Sequence, residues 1–379
     1  MPLSVRGLGT ARPELTVNQT ESTTLSEFVS ADSTERVSLV RRIQRRSQVQ
    51  TRGSVLLTGD DKQPIHQRLP FYGVESPSTA TRMEAFRLHA TSLALKACKR
   101  ALAESEISAG AITHLITISC TGFHAPGVDC DLIDHLQLPL NIQRTHVGFM
   151  GCHAALNGLR VAHAFIEADP KAVVLLCAVE LCSLHLQYGW NPEHVVANTL
   201  FADGAAALVA THSETSNQES ISAGFSVQAS GSTMIPETRD LMHWQVGDQG
   251  FSMGLSPKVP EAIAKTLQPW LGEWLHARGT NLSNIQHWAI HPGGPRILQA
   301  CADALSLRED QLVSSRHVLS HYGNMSSATV LFVLEHLRNN HCHGPCVAIA
   351  FGPGSVSYTH LRAHETRHDL VCRLLLEKK

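Results

Sequence analysis

A cysteine, a histidine and an asparagine, each beside a glycine- or proline-rich break, are the residues of this 379-residue chain best placed to do chemistry. Cys152 closes the run Val147-Gly148-Phe149-Met150-Gly151-Cys152, and a strongly helical stretch, Ala155 to Glu167, departs directly after it. Unpaired N–H groups and the positive end of a helix dipole favour a thiolate at that point. The placement therefore predicts a lowered thiol pKa and a sulfur able to attack a thioester. A buried cysteine taken alone is more often an inert small hydrophobe. Two further segments shift the balance: Trp288 to Arg296 carries His291 before Pro292-Gly293-Gly294, and Ser320 to Ala328 carries Asn324 after Gly323. Alone, such a histidine can simply end a strand, and such an asparagine is a common helix N-cap. Beside Cys152 they have a chemical use. An imidazole can hold a thiolate as an ion pair, and N–H donors aimed at a thioester oxygen lower the barrier to charge developing there by about a few kcal/mol each. Asparagine does not titrate, so Asn324 is expected to orient and donate while Cys152 carries an acyl chain.

From about Met1 to Gly354 the sequence resembles the type III polyketide synthases, thiolase-superfamily enzymes similar to chalcone and stilbene synthases, and it is closer still to their bacterial relatives. The resemblance rests on Gly148-Phe149-Met150-Gly151 before Cys152, on His291-Pro292-Gly293-Gly294-Pro295, and on Tyr322-Gly323-Asn324-Met325-Ser326-Ser327, in the family's order and spacing. It implies a catalytic set of Cys152, His291 and Asn324, loading of an acyl-CoA, and extension by decarboxylated malonyl-CoA. No metal or redox cofactor is implied. The implied fold is α/β: duplicated thiolase-like halves in a layered αβαβα architecture, with residues 1–215 carrying the cysteine and 216–354 the histidine and asparagine. A homodimer is implied in the same way.

Further positions follow where the local match holds. Phe201, in Thr199 to Ala206, resembles the phenylalanine that gates the junction between coenzyme A tunnel and cavity. The second gating phenylalanine falls at Met253, with Phe251 close enough to compensate, and a flexible methionine there suits bulkier or longer acyl chains. Cys120, Thr121, Cys182 and His185 match pocket positions that are mostly Thr or Ser in the plant enzymes, and Gly352 and Pro353 lie in the loop that helps shape the cyclisation cavity. Arg41, Arg42, Arg45, Arg46 and Arg52 form a local basic cluster. Arginine binds phosphate bidentately, so Arg45, Arg46 and Arg52, with Gly293, Gly294 and Arg296, are expected to hold coenzyme A.

Composition agrees with an enzyme of this kind. At 43% hydrophobic residues the chain can bury a large core. A formal net charge of -2 with no extended basic face argues against nucleic-acid binding. Ten cysteines without regular short spacing favour a reducing cytoplasm, and neither a membrane-length apolar run nor a signal-peptide core is present, so a soluble protein is expected. Apolar runs at His114 to Ser119, Ala172 to Ala178 and Val347 to Phe351 read as buried strands, and Ala155, Leu159, Ala162 and Ile166 form a helical stripe. The polar stretch His212 to Ser220 is the expected boundary between halves.

Residues 355–379 break the pattern. Where the family continues into an apolar strand, this segment is rich in His and charge, and it reads as an atypical tail foreign to the fold. Its His364-Glu365-Thr366-Arg367-His368 fits the His-Glu-x-x-His pattern, but a catalytic zinc wants three ligands in a prepared cavity, and no metal site is assigned there. His341-Cys342-His343 reads as a turn before the strand at Val347. The function expected is thus acyl-CoA loading on Cys152, iterative malonyl-CoA extension and cyclisation to a pyrone, resorcinol or related phenolic product. The alternatives are a ketoacyl synthase III-like enzyme making one condensation with an acyl-carrier-protein partner, and a noncatalytic acyl-CoA-binding scaffold.

Overall fold

The computed structural model describes residues 3–60, 62–213, 225–353 and, as backbone, 355–363. In chain order the first half contains β1 (Leu3–Ala11), β2 (Thr16–Asn18), α1 (Gln19–Ser30), α2 (Thr34–Arg46), β3 (Thr51–Gly53), α3 (Ile65–Arg68), α4 (Thr79–Ser105), β4 (His114–Ser119), α5 (Val128–Leu136), β5 (Gln143–Gly148), α6 (Ala154–Ala168), β6 (Val174–Leu181), α7 (Pro192–Leu200) and β7 (Asp203–His212). The second contains β8 (Phe225–Met234), β9 (Met242–Gly247), β10 (Gly250–Leu255), α8 (Val259–His276), β11 (His287–Ile290), α9 (Pro295–Leu305), α10 (Val313–Tyr322), α11 (Thr329–Asn339), β12 (Gly344–Gly352) and β13 (Ser355–Ala363).

Nine strands form one sheet in the order β11-β12-β13-β8-β1-β7-β6-β4-β5. The duplication expected from the resemblance is visible in that order. Counting only strands of this sheet and reading outward from the centre, the first half runs first strand, last, next to last, then second (β1-β7-β6-β4), and the other half repeats it as β8-β13-β12-β11. The halves meet through a short pairing of Leu3 and Ser4 with Val227 and Ser226.

Strand periodicity then sorts the core into layers. Along β6, Val174, Leu176 and Ala178 pack with α6 and α11, while Leu175, Cys177 and Val179 face α4 and α5. Along β12, Cys346, Ala348 and Ala350 turn to the same central helices, and Val347, Ile349 and Phe351 turn to α8 and α9. Helices α6 and α11 are therefore sandwiched, which explains why Ala155, Leu156 and Leu159, or Leu331, Phe332 and Val333, are apolar around more than one face. The result is the αβαβα arrangement, with the starts of its two central helices facing each other.

Two boundaries need adjustment. Residues 355–363 are not outside the fold: β13 pairs antiparallel with β12 from Gly352↔Ser355 to Gly344↔Ala363, and with β8 on its other side. Two ordered neighbours impose strand geometry on a segment without an apolar run. Residues 364–379, with the His-Glu-x-x-His pattern, and most of the expected polar boundary (214–224) lie outside the described residues. No helix among the described residues is long and apolar enough to cross a membrane.

Candidate active site

Cys152 sits in a short 3₁₀ turn, Gly151–His153, that runs straight into α6. Across from it, a matching turn at Ser326–Ala328 leads into α11, and Asn324 precedes that turn. The two central helices thus deliver the cysteine and the asparagine to one point. Cys152 Sγ lies 4.0 Å from Asn324 Oδ1 and 3.8 Å from Ser326 Oγ. Asn324 Oδ1 accepts the Ser326 N–H at 2.9 Å, which fixes the amide and leaves its NH2 group as the donor of the pair.

His291 follows β11, and its N–H donates to Ile349 O on β12 at 2.7 Å. The residue is 1% exposed, yet neither ring nitrogen has a hydrogen-bond partner among the described residues. A buried imidazole left without partners is costly for folding and marks a group kept for a ligand or a reaction.

The electrostatics differ from the expected thiolate. Burial pushes the Cys152 thiol up to about 12; its hydrogen-bond contacts with Ser326 and Asn324 counter this, while the Glu180 carboxylate reinforces it. Burial, aided by the nearby His153, lowers His291 to about 3. The helix-start effect is worth about 1 kcal/mol near a surface, whereas full desolvation of a charge is worth several. At neutral pH the thiol and the imidazole are therefore both neutral.

The expected pocket residues divide into two groups. Cys120, Thr121, Cys182, Phe201, Met253 and Pro353 line one cavity with Cys152, together with Met242, Trp244 and Ser326. Its volume is only about 30 Å³, room for about two waters. Gly352 supports this wall from behind: a Cβ on Gly151, whose φ is +66°, would lie 2.5 Å from Pro353 Cδ and 3.5 Å from Gly352 Cα. Glycine at 151 lets the nucleophile turn lie flat against the Gly352-Pro353 loop.

His185 and Phe251 line a neighbouring pocket and not the cavity on Cys152. His185 Nε2 is 2.6 Å from Thr121 O, and its Nδ1 accepts the Phe251 N–H at 3.0 Å, so the ring is a neutral strut with both nitrogens engaged. Burial lowers it to about 3. Phe251 is fully buried and stacked on His185 at 4.2 Å, which rules it out as a substitute gate. Both face a second small apolar pocket that shares Cys182, Phe201, Trp244 and Met253 with the first. Those four side chains form the partition between the two.

Trp244 was missed by sequence reasoning. It lies on β9 of the β9–β10 hairpin, its Nε1 donates to Cys120 O at 2.7 Å, and its ring meets His185 and Phe251 edge-on. Glu180 was also missed as a functional group. Wholly buried, it accepts from Cys120 N (2.9 Å), Thr121 Oγ1 (2.8 Å) and Ser327 Oγ, tying the cavity wall to the Asn324 turn.

Thr199 and Leu200, just before Phe201 in the chain, line a larger cleft of about 550 Å³ together with Arg46, Gly293, Gly294 and Arg296 among others. Arg46 at the end of α2 and the glycine turn before α9 therefore come together as expected. Arg45 is exposed but not part of this lining. Arg52 is likewise outside this lining: it is 7% exposed and donates to Asn198 O (2.5 Å), Phe201 O (2.8 Å) and Ser22 Oγ (2.6 Å). Burial lowers its guanidinium to about 10, so it braces the gate segment instead of meeting phosphate. Replacing Arg52 with Met leaves two buried carbonyls unpaired and should cost about 2–4 kcal/mol, read as a lower urea midpoint at unchanged slope.

A buried cysteine at a helix start, a buried imidazole without partners among the described residues and an asparagine amide on duplicated α/β halves agree with what other proteins show. The profile described as chalcone and stilbene synthases, N-terminal domain, matches residues 2–213, and that for the C-terminal domain matches 226–361. Alpha-pyrone synthesis polyketide synthase-like Pks18 of Mycobacterium tuberculosis is 33% identical over 355 residues, covering 92% of this chain and 88% of its own. The 1,3,6,8-tetrahydroxynaphthalene synthase of Streptomyces peucetius subsp. caesius is 32% identical over 355 residues, covering 93% and 90%. PKS-I from the brown alga Ectocarpus siliculosus superposes with a TM-score of 0.88 at 27% identity, covering 96% of this chain and 98% of that one. The chain therefore belongs to the chalcone and stilbene synthase family, the type III polyketide synthases.

Proposed function

We propose that the protein is an acyltransferase that loads an acyl-CoA onto Cys152, extends it with malonyl-CoA and releases a cyclised pyrone or resorcinol. The observation that carries this reading is a buried cysteine within reach of Asn324, together with a buried His291 whose ring nitrogens have no partner among the described residues. Because both Cys152 and His291 rest uncharged, loading begins with proton transfer from Sγ to the imidazole as Sγ attacks the thioester carbonyl. The Sγ–C bond forms, the C–S bond to coenzyme A breaks, and the proton passes from His291 to the departing thiolate. In extension, loss of CO2 from malonyl-CoA places an enolate oxygen where His291 and the Asn324 NH2 group donate. Its carbon then attacks the Cys152 thioester and returns the chain to coenzyme A. The same residues serve both steps without a cofactor.

The larger cleft suits coenzyme A, with Arg46 and Arg296 at its wall for phosphate. Replacing either with Ala should raise KM for the acyl-CoA by about 5- to 20-fold with kcat nearly unchanged, as expected for contacts equally strong in ground and transition states. For the acyl chain, Met253 is the adaptable part of the partition. Its rotation joins the two small pockets into one apolar channel past Val17, Leu25, Leu69 and Leu186, which favours an alkyl starter. The similarity to an alpha-pyrone synthesis enzyme supports the pyrone outcome.

A homodimer is part of the proposal. β5 is the last strand of the sheet and is poorly buried, and Phe123, Phe149 and Met150 beside it are 54%, 43% and 39% exposed. An open edge with apolar neighbours suits a second copy. Light scattering should give twice the chain mass, and Phe149→Glu should shift the protein toward monomer.

The substrate reading is tested by feeding 13C-labelled malonyl-CoA with a panel of acyl-CoAs and weighing the products. Two or more labelled acetate units per product support it. A single unit transferred best to acyl-carrier protein supports the ketoacyl synthase III alternative, and bound coenzyme A without any product supports the scaffold.

A further inference from the structure

The residue directly after the nucleophile is a second buried histidine. His153 is 1% exposed, and its ring edge packs against Gly352, where a Cβ would lie 2.8 Å from His153 Cδ2 and 3.1 Å from Nε2. The same Cβ would lie 2.7 Å from Met150 O, so no other residue fits at 352 without displacing the turn that holds Cys152. On its other side the ring is held by a polar line along α6, at spacings of four and three that keep the side chains on one helix face. Asn157 Nδ2 is 2.8 Å from His153 Nδ1, Arg160 Nη2 donates to Asn157 Oδ1 at 3.2 Å, and Arg160 Nη1 donates to Ser232 Oγ at 3.1 Å.

That line settles which ring nitrogen carries the proton. A guanidinium only donates, so the Asn157 atom facing Arg160 is its oxygen, and the atom facing His153 is its NH2 group. Nδ1 must therefore accept, and the hydrogen sits on Nε2, turned toward the Gly352 backbone. Burial lowers the ring to about 4, with the positive charge of Arg160 acting in the same direction, so the neutral form persists at neutral pH.

We infer that His153 is a positioning residue for acylation of Cys152: its Asn157-fixed Nε2–H tautomer clamps the nucleophile turn to the Gly352-Pro353 loop. The clamp sets one wall of the catalytic cavity, because Pro353 lines that cavity and touches Gly151. A neutral ring there also suits the neutral His291, since a charged His153 would oppose the proton His291 has to accept. A buried asparagine on the inner helix of the fold is otherwise hard to rationalise, as packing alone would favour an apolar side chain.

This inference rests on reading Cys152 as the acyl acceptor, and the experiment keeps the two apart. Octanoyl-CoA is the probe. Formation of the Cys152 adduct is followed by intact mass over a range of probe concentrations, giving a maximal rate and an apparent Kd for wild type, His153→Phe, His153→Gln and Asn157→Asp. His153→Phe keeps an aromatic ring but removes both nitrogens. Asn157→Asp is isosteric and folds more readily, but its carboxylate accepts only, so it draws a proton onto Nδ1 and reverses the clamp. His153→Gln restores an N–H near the position of Nε2.

The expected result is a 10- to 100-fold lower maximal rate for His153→Phe and Asn157→Asp at unchanged apparent Kd, a loss of the size that about 1 Å of misplacement produces, with His153→Gln within about threefold of wild type. Wild-type rates in Asn157→Asp, or an equal loss in His153→Gln and His153→Phe, would overturn the clamp while leaving Cys152 as acceptor. An adduct absent from wild type itself would overturn the reading of Cys152, and the clamp with it.

Discussion

Replacing His291 with Ala should abolish acyl loading of Cys152 in practical terms, lowering its rate by about 10³-fold, because His291 is the base assigned to take the thiol proton. The size follows from the resting state. With the thiol raised to about 12 by burial, a spontaneous thiolate is rare at neutral pH, and nearly all reactive encounters must pass a proton to the imidazole as the S–C bond forms. His291→Gln separates its two roles. A glutamine amide can donate to an enolate oxygen but cannot take a proton, so malonyl-CoA decarboxylation should retain about a tenth of the wild-type rate while loading is lost as in His291→Ala. Quenched-flow measurement of the two half-reactions decides this. Retention of loading in His291→Gln to the same extent as decarboxylation would mean that His291 acts only as a donor. Neither substitution should unfold the protein, since the imidazole makes no hydrogen bond among the described residues that folding would lose.

Replacing Trp244 with Ala should change the product more than any other single substitution. The indole occupies the partition between the two small pockets, and its Nε1 strap to Cys120 O holds the β9–β10 hairpin against the nucleophile. Its removal merges the pockets beside Cys152 and leaves space in place of a large, half-buried ring. A stability loss of about 2–3 kcal/mol is expected, below the value for a fully buried Trp. Chain length is limited by the room left for the growing chain, so the main product should gain at least one acetate unit, or accept a starter that wild type refuses. Trp244→Phe keeps most of the volume and loses only the strap, and should keep the wild-type product at a lower rate. Product masses from the two variants with one starter distinguish volume from anchoring. An unchanged product in Trp244→Ala would place the limit on chain length elsewhere, with Phe201 and Met253 the next side chains to change.

How far the sequence reveals this site depends on whether a residue's role is local. Cys152, His291 and Asn324 are legible because each stands at a Gly or Pro break before a helix, and the backbone of that break does the positioning. The run His114 to Ser119 coincides with β4, and the apolar stripe after Cys152 with α6, because both are buried by many neighbours of uniform character. Arg52 is illegible for the opposite reason. It is next in sequence to exposed arginines, yet its partners are carbonyls at Asn198 and Phe201, 146 and 149 residues away, and only the fold shows that it is enclosed. That His185 and Phe251 face the neighbouring pocket instead of the cavity on Cys152 is equally illegible, because β10 brings Met253 to Cys152 and stacks Phe251 on His185 behind it. Trp244 has no local signature at all, as its hairpin acquires meaning only against Cys120 and Thr121. The charge state of Cys152 shows a competition of magnitudes: the helix start visible in sequence is a real stabiliser of thiolate, but it is smaller than the desolvation that the surrounding layers impose.

The most direct test is the intact mass of the purified protein after brief incubation with an acyl-CoA panel, with Cys152→Ala as the control and proteolysis to locate the adduct. The expected result is a mass increase equal to one acyl group, confined to the peptide containing Cys152, absent from Cys152→Ala, and discharged when malonyl-CoA is added. An adduct on another cysteine, or products formed equally well by Cys152→Ala, would contradict the assignment of Cys152 as the residue that carries the growing chain.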